Sequence, residues 1–252
     1  MTTIREAQKN WDTLGKTDPL FVILSYKEKE GGKWNEREFF ETGRKEIDAA
    51  LAHAKTHIPE LGRERALDFG CAAGRLSLGL ARHFAQVDGV DIAPSMIELA
   101  RKYNTEVDRV RYFVNDKPDL SLFENDRFDF IYTNITLQHI PPEFSKAYLR
   151  EFVRVLKPGG LLMFQLPTHK KSVPIGKEKN SFKTFLKKIV PESLVRLYKK
   201  WRYEERAHVD MYGKSETEVH EIIESAGGKI VDVTPDDIAM GWEGNLYCVL
   251  KS

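Results

Sequence analysis

Apolar and polar positions change their spacing near residue 65 of the chain. Beyond that point, short apolar runs alternate with longer segments whose apolar positions recur at helical spacing. The short runs predict buried strands and the longer segments predict amphipathic helices. The predicted strands are 66–69, 86–92, 110–115, 128–134, 161–167, 229–235 and 245–251. The predicted helices are 36–58, 75–84, 94–104, 143–156 and 215–227.

This alternation determines how the predicted strands should pair. Strands separated by helices pair in parallel through right-handed crossovers. The last two strands have no helix between them, so we expect an antiparallel pair at one edge of the sheet. Residues 1–35 are predicted to be irregular, and residues 168–207 interrupt the alternation. The fold class is therefore α/β, with a doubly wound, mostly parallel sheet.

Composition narrows the class of protein. The chain has 252 residues, 41% of them hydrophobic and 31% charged, which is typical of a globular protein with a sizeable core. A net charge of +1 gives no reason to expect nucleic acid as a partner. The two cysteines, Cys71 and Cys248, lie far apart, which argues against a disulfide scaffold or a thiolate metal site, and we predict no metal. Neither a membrane span nor a secretory leader is visible, so we expect a cytoplasmic protein.

The segment LDFGCAAGRL (67–76) carries an acid, Asp68, just before a turn that contains Gly70 and Gly74. In open α/β sheets, ligands bind beyond the carboxyl ends of the strands, and glycine lets the backbone approach them closely. A tight turn without a ligand would look similar, and the glycine spacing matches neither the dinucleotide fingerprint nor the phosphate-binding loop. Asp68 would repel a pyrophosphate and attract a cation. A positively charged nucleoside without phosphate, such as S-adenosylmethionine, fits these constraints.

A second acid, Asp91, ends the next predicted strand in VDGVDI (87–92). A carboxylate in that position can accept hydrogen bonds from both hydroxyls of a ribose. It could instead provide negative charge at a helix N-terminus, because DIAPS opens the next helix. Two acids at successive strand ends favour the ligand interpretation.

Four segments, taken in order, resemble the motifs of class I S-adenosylmethionine-dependent methyltransferases. They are LDFGCAAGRL, GVDIAPSMIELAR, FDFIYTNITLQHIP and VRVLKPGGLLMFQLP. Ala72 departs from the pattern, since many members have glycine there. The resemblance implies a Rossmann-like methyltransferase fold with seven strands in the order 3-2-1-4-5-7-6, strand seven antiparallel, and a helical cap insertion. It implies a methyltransferase domain over 59–252, interrupted by a basic cap at 168–207 and preceded by an N-terminal helical or cap segment over 1–58.

The resemblance also implies contacts with the methionine and ribose parts of the cofactor. The methionine portion would lie along Asp68, Gly70, Cys71 and Gly74. Asp91 would bind the ribose. The thiol of Cys71 is not expected to react, because a small residue at this point serves through its backbone.

Further along the chain, the resemblance implies contacts with the adenine and with the reacting methyl group. Ile92 and Met96 would flank the adenine, and Asn115 or Asp116 would meet its exocyclic amine, with Asp116 weakly favoured. Asn134 would face the reaction centre.

Methyl transfer from a sulfonium is a direct displacement, so the enzyme chiefly positions the reactants. A general base is needed only when the acceptor must lose a proton, as a hydroxyl does. His139, in LQHIP, is the first candidate for that base, although a structural role beside the cofactor is also open. His208 and Tyr212 are second candidates.

The segment 169–206 is strongly basic, with Lys and Arg outnumbering Glu by eight. Its apolar residues have helical spacing in two short pieces, which predicts an amphipathic cap over the acceptor. Its basic face is either solvated or contacts an anionic acceptor or an anionic membrane surface. The N-terminal segment could close the other side of the pocket.

The sequence thus predicts a methyltransferase that uses S-adenosyl-L-methionine and releases S-adenosyl-L-homocysteine. The acceptor is expected to be a small molecule or a carrier-linked glycan or lipid precursor. Three alternatives remain open: a nicotinamide-dependent oxidoreductase, an inactive methyltransferase-like binding module, and an RNA methyltransferase that grips phosphates through the basic cap.

Overall fold

Seven strands form one sheet in the computed structural model, which describes residues 3–170, 210–238 and 241–252. The strands are β1 (Arg65–Phe69), β2 (Gln86–Asp91), β3 (Val110–Val114), β4 (Phe128–Thr133), β5 (Leu156–Lys170), β6 (Gly228–Ile238) and β7 (Trp242–Lys251). Their spatial order is β3-β2-β1-β4-β5-β7-β6. The first five strands are parallel, and β7 runs antiparallel to both β5 and β6. This confirms the predicted strand order and the antiparallel pair at the edge.

Seven α-helices accompany the sheet in the described part of the chain. They are α1 (Ile4–Gly15), α2 (Pro19–Ile23), α3 (Glu36–His57), α4 (Arg75–Leu80), α5 (Pro94–Tyr103), α6 (Pro142–Val155) and α7 (Glu216–Ser225). The five predicted helices correspond to α3–α7, and α4 is shorter than predicted. No helix among the described residues is long and apolar enough to cross a bilayer.

The prediction that residues 1–35 are irregular was wrong, because α1 and α2 lie there. A capping box begins α1: the Glu6 amide donates to the Thr3 hydroxyl over 3.2 Å, and the Glu6 carboxylate accepts from the Thr3 amide over 2.7 Å. Ile4, Ala7 and Trp11 follow at helical spacing and turn one side of α1 toward the sheet edge.

Helices cover the sheet on both faces, and β1 shows the consequence for its side chains. Ala66 packs in a core formed with α3, α4 and α5, whereas Leu67 and Phe69 pack in a second core formed with α6 and α7. Because side chains alternate along a strand, Asp68 points to the same side as Ala66. There its carboxylate accepts a hydrogen bond from Ser77 on α4 over 2.6 Å.

Strand β5 is longer than the predicted 161–167. It begins directly after α6, where Leu156 pairs with Phe128 of β4. The register then shifts, and the residues between Leu156 and Leu161 form a bulge. At its other end β5 continues to Lys170, which pairs with Trp242 of β7. Residues 168–170 of the predicted cap therefore belong to this strand, and residues 171–207 lie outside the described part of the chain.

Candidate active site

A cavity opens where the carboxyl ends of β1, β2 and β4 meet, as the topology requires for an open α/β sheet. Seven of the ten predicted cofactor residues and the predicted base line it. These are Gly70, Cys71, Asp91, Ile92, Met96, Asn115, Asn134 and His139. The other three, Asp68, Gly74 and Asp116, do not line it.

The turn after β1 forms one wall of the cavity. The amides of Gly70 and Cys71 donate to the Val90 carbonyl over 2.8 and 3.0 Å, which ties this turn to the end of β2. Gly70 has a φ of +79°, and a Cβ placed on it would lie 2.2 Å from Oγ1 of Thr136. Ala72 has a φ of +45°, a left-handed conformation that glycine adopts at lower cost. This explains why glycine would be the usual residue at position 72.

The carboxylate of Asp91 lies at the wall of the cavity and is held by two backbone amides. Its Oδ2 accepts from Ala72 over 3.0 Å, and its Oδ1 accepts from Ala93 over 2.8 Å. Burial raises the pKa of this carboxyl above its usual value, and hydrogen bonds from backbone amides offset part of that rise. Each oxygen retains a second acceptor direction. The group is therefore oriented to receive two further donors from a ligand.

Asp68 lies behind the cavity and not in its wall. It is fully buried, its Oδ2 accepts from Ser77, and its Oδ1 has no hydrogen-bond partner among the described residues. Burial raises the pKa of Asp68 to about 7. The strand turns this side chain toward α4, and its contact with the methionine group stays a prediction.

Gly74 and Asp116 do not line the cavity, and their contacts with the cofactor stay predictions. Gly74 caps α4 with a φ of +84°, and a Cβ on it would meet the Tyr112 hydroxyl oxygen at 2.3 Å, so close packing requires glycine here. Asp116 is exposed beyond the end of β3. Its neighbour Asn115 is buried and lines the cavity, and its side-chain amide donates to the Asp119 carbonyl over 2.8 Å.

A polar cluster that the sequence analysis missed lies beside Asn134. Glu46 of α3 accepts from the Asn134 amide over 2.7 Å and from the Tyr132 hydroxyl over 3.1 Å, and pairs with Arg75 over 2.8 Å. Nε of Arg75 and Oδ1 of Asn134 are buried without a hydrogen-bond partner among the described residues, and both side chains line the cavity. Arg75 directly follows Gly74, but nothing in the sequence indicates its pairing with Glu46 on a distant helix.

His139 lines the cavity with both ring nitrogens engaged. Nδ1 lies 3.0 Å from the Asp210 carbonyl, which can only accept, so Nδ1 carries the proton in the neutral ring. Nε2 then accepts from the Gln138 amide over 3.0 Å. Burial lowers the pKa of His139 below the usual value near 6.5. The ring is accordingly neutral at neutral pH, with its basic lone pair on Nε2.

Apolar and aromatic side chains close the rest of the cavity. Trp11 of α1 packs edge-on against the His139 ring, with the ring centres 5.3 Å apart. Further apolar side chains come from α2, α6 and the loop before α6. They are Val22, Ile23, Ile140, Pro141, Phe144 and Tyr148. The sequence predicts that the N-terminal segment closes the pocket but does not single out these residues.

Helix α1 is held over the cavity by hydrogen bonds to the region after β2. The Ser95 amide donates to the Asp12 carboxylate over 2.8 Å, and the Ser95 hydroxyl donates to the Asp12 carbonyl over 2.9 Å. The Gln8 side chain donates to the Ile92 carbonyl over 3.1 Å. These three bonds join α1 to the start of α5, next to Asp91.

One of the two second candidates for a base, Tyr212, can be placed relative to this cavity. Tyr212 is outside the lining, and its hydroxyl donates to the Asp210 carboxylate over 3.2 Å. His208 lies outside the described residues.

Comparison with known proteins agrees with this architecture. Residues 66–160 match a family model described as a methyltransferase domain. A ubiquinone biosynthesis O-methyltransferase of Xanthomonas oryzae pv. oryzae is 38% identical over 104 residues, which are 41% of this chain and 43% of that protein. The chain thus spans less than half the length of the curated relatives that it matches.

Solved structures extend the likeness in fold to nearly the whole chain. Magnesium protoporphyrin IX methyltransferase from Synechocystis PCC 6803, solved with bound SAH, has a TM-score of 0.63 at 18% identity and covers 99% of both chains. A SAM-dependent methyltransferase from Leishmania major has a TM-score of 0.64 at 14% identity, covering 98% of this chain and 82% of that one. At such identities the likeness shows the fold alone. Residues 66–160 therefore match a methyltransferase domain, and the strand order of the whole sheet is the one that the resemblance to class I S-adenosylmethionine-dependent methyltransferases implied.

Proposed function

We propose that the protein is a methyltransferase that transfers the methyl group of S-adenosylmethionine to a hydroxyl of a small, largely apolar acceptor. The observation that carries this proposal is the Asp91 carboxylate, fixed at the cavity wall by the Ala72 and Ala93 amides. The family match to a methyltransferase domain supports it independently.

The polar groups of the cavity fit the ends of this cofactor. Asp91 receives the two ribose hydroxyls, and Ile92 and Met96 pack against the adenine beside Asn115. Nε of Arg75 and Oδ1 of Asn134, which have no partner among the described residues, are a donor suited to a carboxylate and an acceptor suited to an ammonium. After a small rotation of both side chains toward the cavity, a zwitterionic amino-acid group would satisfy both atoms. When bound, S-adenosylmethionine supplies an electrophilic methyl group on a sulfonium.

The remaining wall points to the kind of acceptor. Trp11, Phe144 and Tyr148 line the cavity together with aliphatic side chains of α2. Such a wall binds flat or aliphatic surface better than the polar surface of a free sugar. An aromatic or lipid-like small molecule, free or carried on a larger precursor, suits it better than a glycan. The acceptor of the Xanthomonas relative, indicated by its name, belongs to ubiquinone biosynthesis.

We assign His139 as the general base that removes the proton of the acceptor hydroxyl. Its neutral ring keeps an acceptor lone pair on Nε2, which faces Gln138. An acceptor hydroxyl that replaces the Gln138 amide at this atom would place its proton on Nε2. The Asp210 carbonyl would stabilise the resulting imidazolium through Nδ1–H. Trp11 covers the ring and helps to exclude water from the cavity.

Methyl transfer from isotopically labelled S-adenosylmethionine to phenolic and aliphatic hydroxyl acceptors tests this function. We expect label in a phenolic or lipid-like acceptor, and a rate about 10²–10⁴-fold lower for His139→Gln with cofactor affinity little changed. The wild-type pH–rate profile should rise with pH and level off below the usual histidine value, because His139 must be deprotonated to act. His220→Gln, a surface variant on α7, is the matched control. Absence of transfer to any acceptor would contradict the function, whereas full activity of His139→Gln would contradict only the assigned base.

A further inference from the structure

We infer that His53, His57 and Asp232 form a site for a divalent transition-metal ion, away from the methyl-transfer cavity. The two histidines lie four residues apart on α3, so they occupy one side of the helix, one turn apart. Asp232 lies on the edge strand β6. The one donor atom that each residue offers lies within 4.8 Å of the other two.

The two histidine–carboxylate distances lie on either side of the spacing that ligand atoms have around a metal ion. Nε2 of His53 lies 2.9 Å from Oδ2 of Asp232, and Nε2 of His57 lies 3.9 Å from Oδ1. Donor atoms around tetrahedral zinc are roughly 3.3 Å apart, because each lies about 2.0–2.2 Å from the metal. Side-chain rotations that bring the three donor atoms to this spacing would create the coordination geometry.

A structural ion pair between His53 and Asp232 does not account for the whole cluster. Nε2 of His57 is buried and has no hydrogen-bond partner among the described residues. A buried ring nitrogen without a partner is costly, and it points into the cluster toward Asp232. A bound cation would supply the partner that this atom lacks.

The surroundings support a site that is ordered and accessible. The Thr234 hydroxyl donates to Oδ2 of Asp232 over 2.8 Å, a contact of the kind that orients carboxylate ligands. The side chains of His53, His57 and Asp232 are 35%, 24% and 25% exposed, so an ion can enter from solvent and keep water as a further ligand.

The donor set indicates the class of ion. Two imidazoles and one carboxylate favour Zn²⁺, Co²⁺ or Ni²⁺ over Mg²⁺ and Ca²⁺, which prefer oxygen ligands. None of the three residues lines the cavity, and His53 lies seven residues beyond Glu46, roughly 10 Å along the helix axis. The ion would join α3 to the edge strand across 179 residues of chain. We therefore assign it a structural role, as a clamp between these two elements.

Cobalt titration of the full chain, purified without a histidine tag and stripped with a chelator, tests the site. Visible absorption reports Co²⁺ coordination, and Zn²⁺ competition then gives the affinity for zinc. We expect one ion per chain, at least about tenfold weaker binding in His57→Gln and in Asp232→Asn, and a zinc-induced rise in melting temperature only in the wild type.

His83→Gln is the matched control, because His83 pairs with Asp48 of α3 over 2.6 Å and no second histidine among the described residues joins that pair. Its affinity for cobalt should equal that of the wild type. Circular dichroism shows whether each variant is folded, and His53→Gln provides a further variant of the site. Absence of stoichiometric binding in the wild type, or binding that survives both His57→Gln and Asp232→Asn, would overturn the inference.

Discussion

Asp68 and Asp91 lie near the ends of two neighbouring strands, β1 and β2. The direction of each side chain decides whether it lines the cavity. Asp91 faces the cavity with its carboxylate held by two amides, whereas Asp68 is buried against Ser77. Both side chains were expected at the cofactor, because each follows the carboxyl end of an apolar run in the first two motifs. Alternation along β1 separates Asp68 from Leu67 and Phe69, but only the folded layers show which side faces α4.

The buried Asp68 predicts a pH-dependent effect on stability. Its folded pKa of about 7 exceeds the ordinary value of 3.8, so the folded state holds more protons than the unfolded state between these values. The free energy of unfolding therefore falls as pH rises from about 4 to 7, by up to about 4 kcal/mol for this group alone. Asp68→Asn should remove that loss and become more stable relative to wild type as pH rises. Denaturant unfolding of both proteins at pH 5 and pH 8 measures the difference, and an equal difference at the two values would contradict the assignment.

Comparing Gly70 with Gly159 separates two effects of adding a side chain: strain in a left-handed backbone and contact with a neighbouring residue. Both have left-handed φ angles, +79° and +76°, but a Cβ on Gly70 would lie 2.2 Å from Thr136, whereas one on Gly159 would meet nothing within 4 Å. We expect Gly159→Ala to cost about 1–2 kcal/mol from the backbone alone. Gly70→Ala should cost clearly more, because Thr136 must also move. Equal losses of unfolding free energy in the two variants would contradict the close approach.

Helix α1 is the element of the site whose structure differs most from the sequence prediction. Its capping box, Thr3 with Glu6, was present in the sequence, but residues 1–35 as a whole showed no clear period and were assigned no helix. The strands and helices α3–α7 were predictable because their apolar spacing is regular. Lengths were less predictable: β5, β6 and β7 extend beyond their apolar runs because hydrogen bonding between them continues.

The contact between α1 and α5 predicts a change in backbone dynamics. Ser95→Ala removes the hydroxyl bond to the Asp12 carbonyl and leaves the amide bond to the Asp12 carboxylate. Since one such hydrogen bond contributes about 1 kcal/mol, amide hydrogen exchange in α1 should become about fivefold faster. Ser225→Ala, whose hydroxyl bonds to Ile222 at the end of α7, should leave α1 exchange unchanged. Equal exchange in Ser95→Ala and wild type would show that α1 is held by other contacts.

At the scale of the whole molecule, the site depends on three chain segments that meet at one edge of the sheet. The motifs after β1, β2 and β4 were recognisable in order, so the fold and the position of the cavity were predicted from sequence. Arg75, Glu46 and Trp11 were not, because their contacts join positions far apart in the chain. The domain boundaries and the role of the basic segment remain predictions.

In the proposed function, the cavity holds the nucleoside of S-adenosylmethionine through Asp91. Calorimetric titration with S-adenosylhomocysteine tests this directly, using the wild type, Asp91→Ala and the exposed control Asp116→Ala. We expect one molecule bound per chain, affinity lowered at least about tenfold by Asp91→Ala, and affinity within about twofold of wild type for Asp116→Ala. Unchanged affinity in Asp91→Ala, or no binding by the folded wild-type protein, would contradict the account.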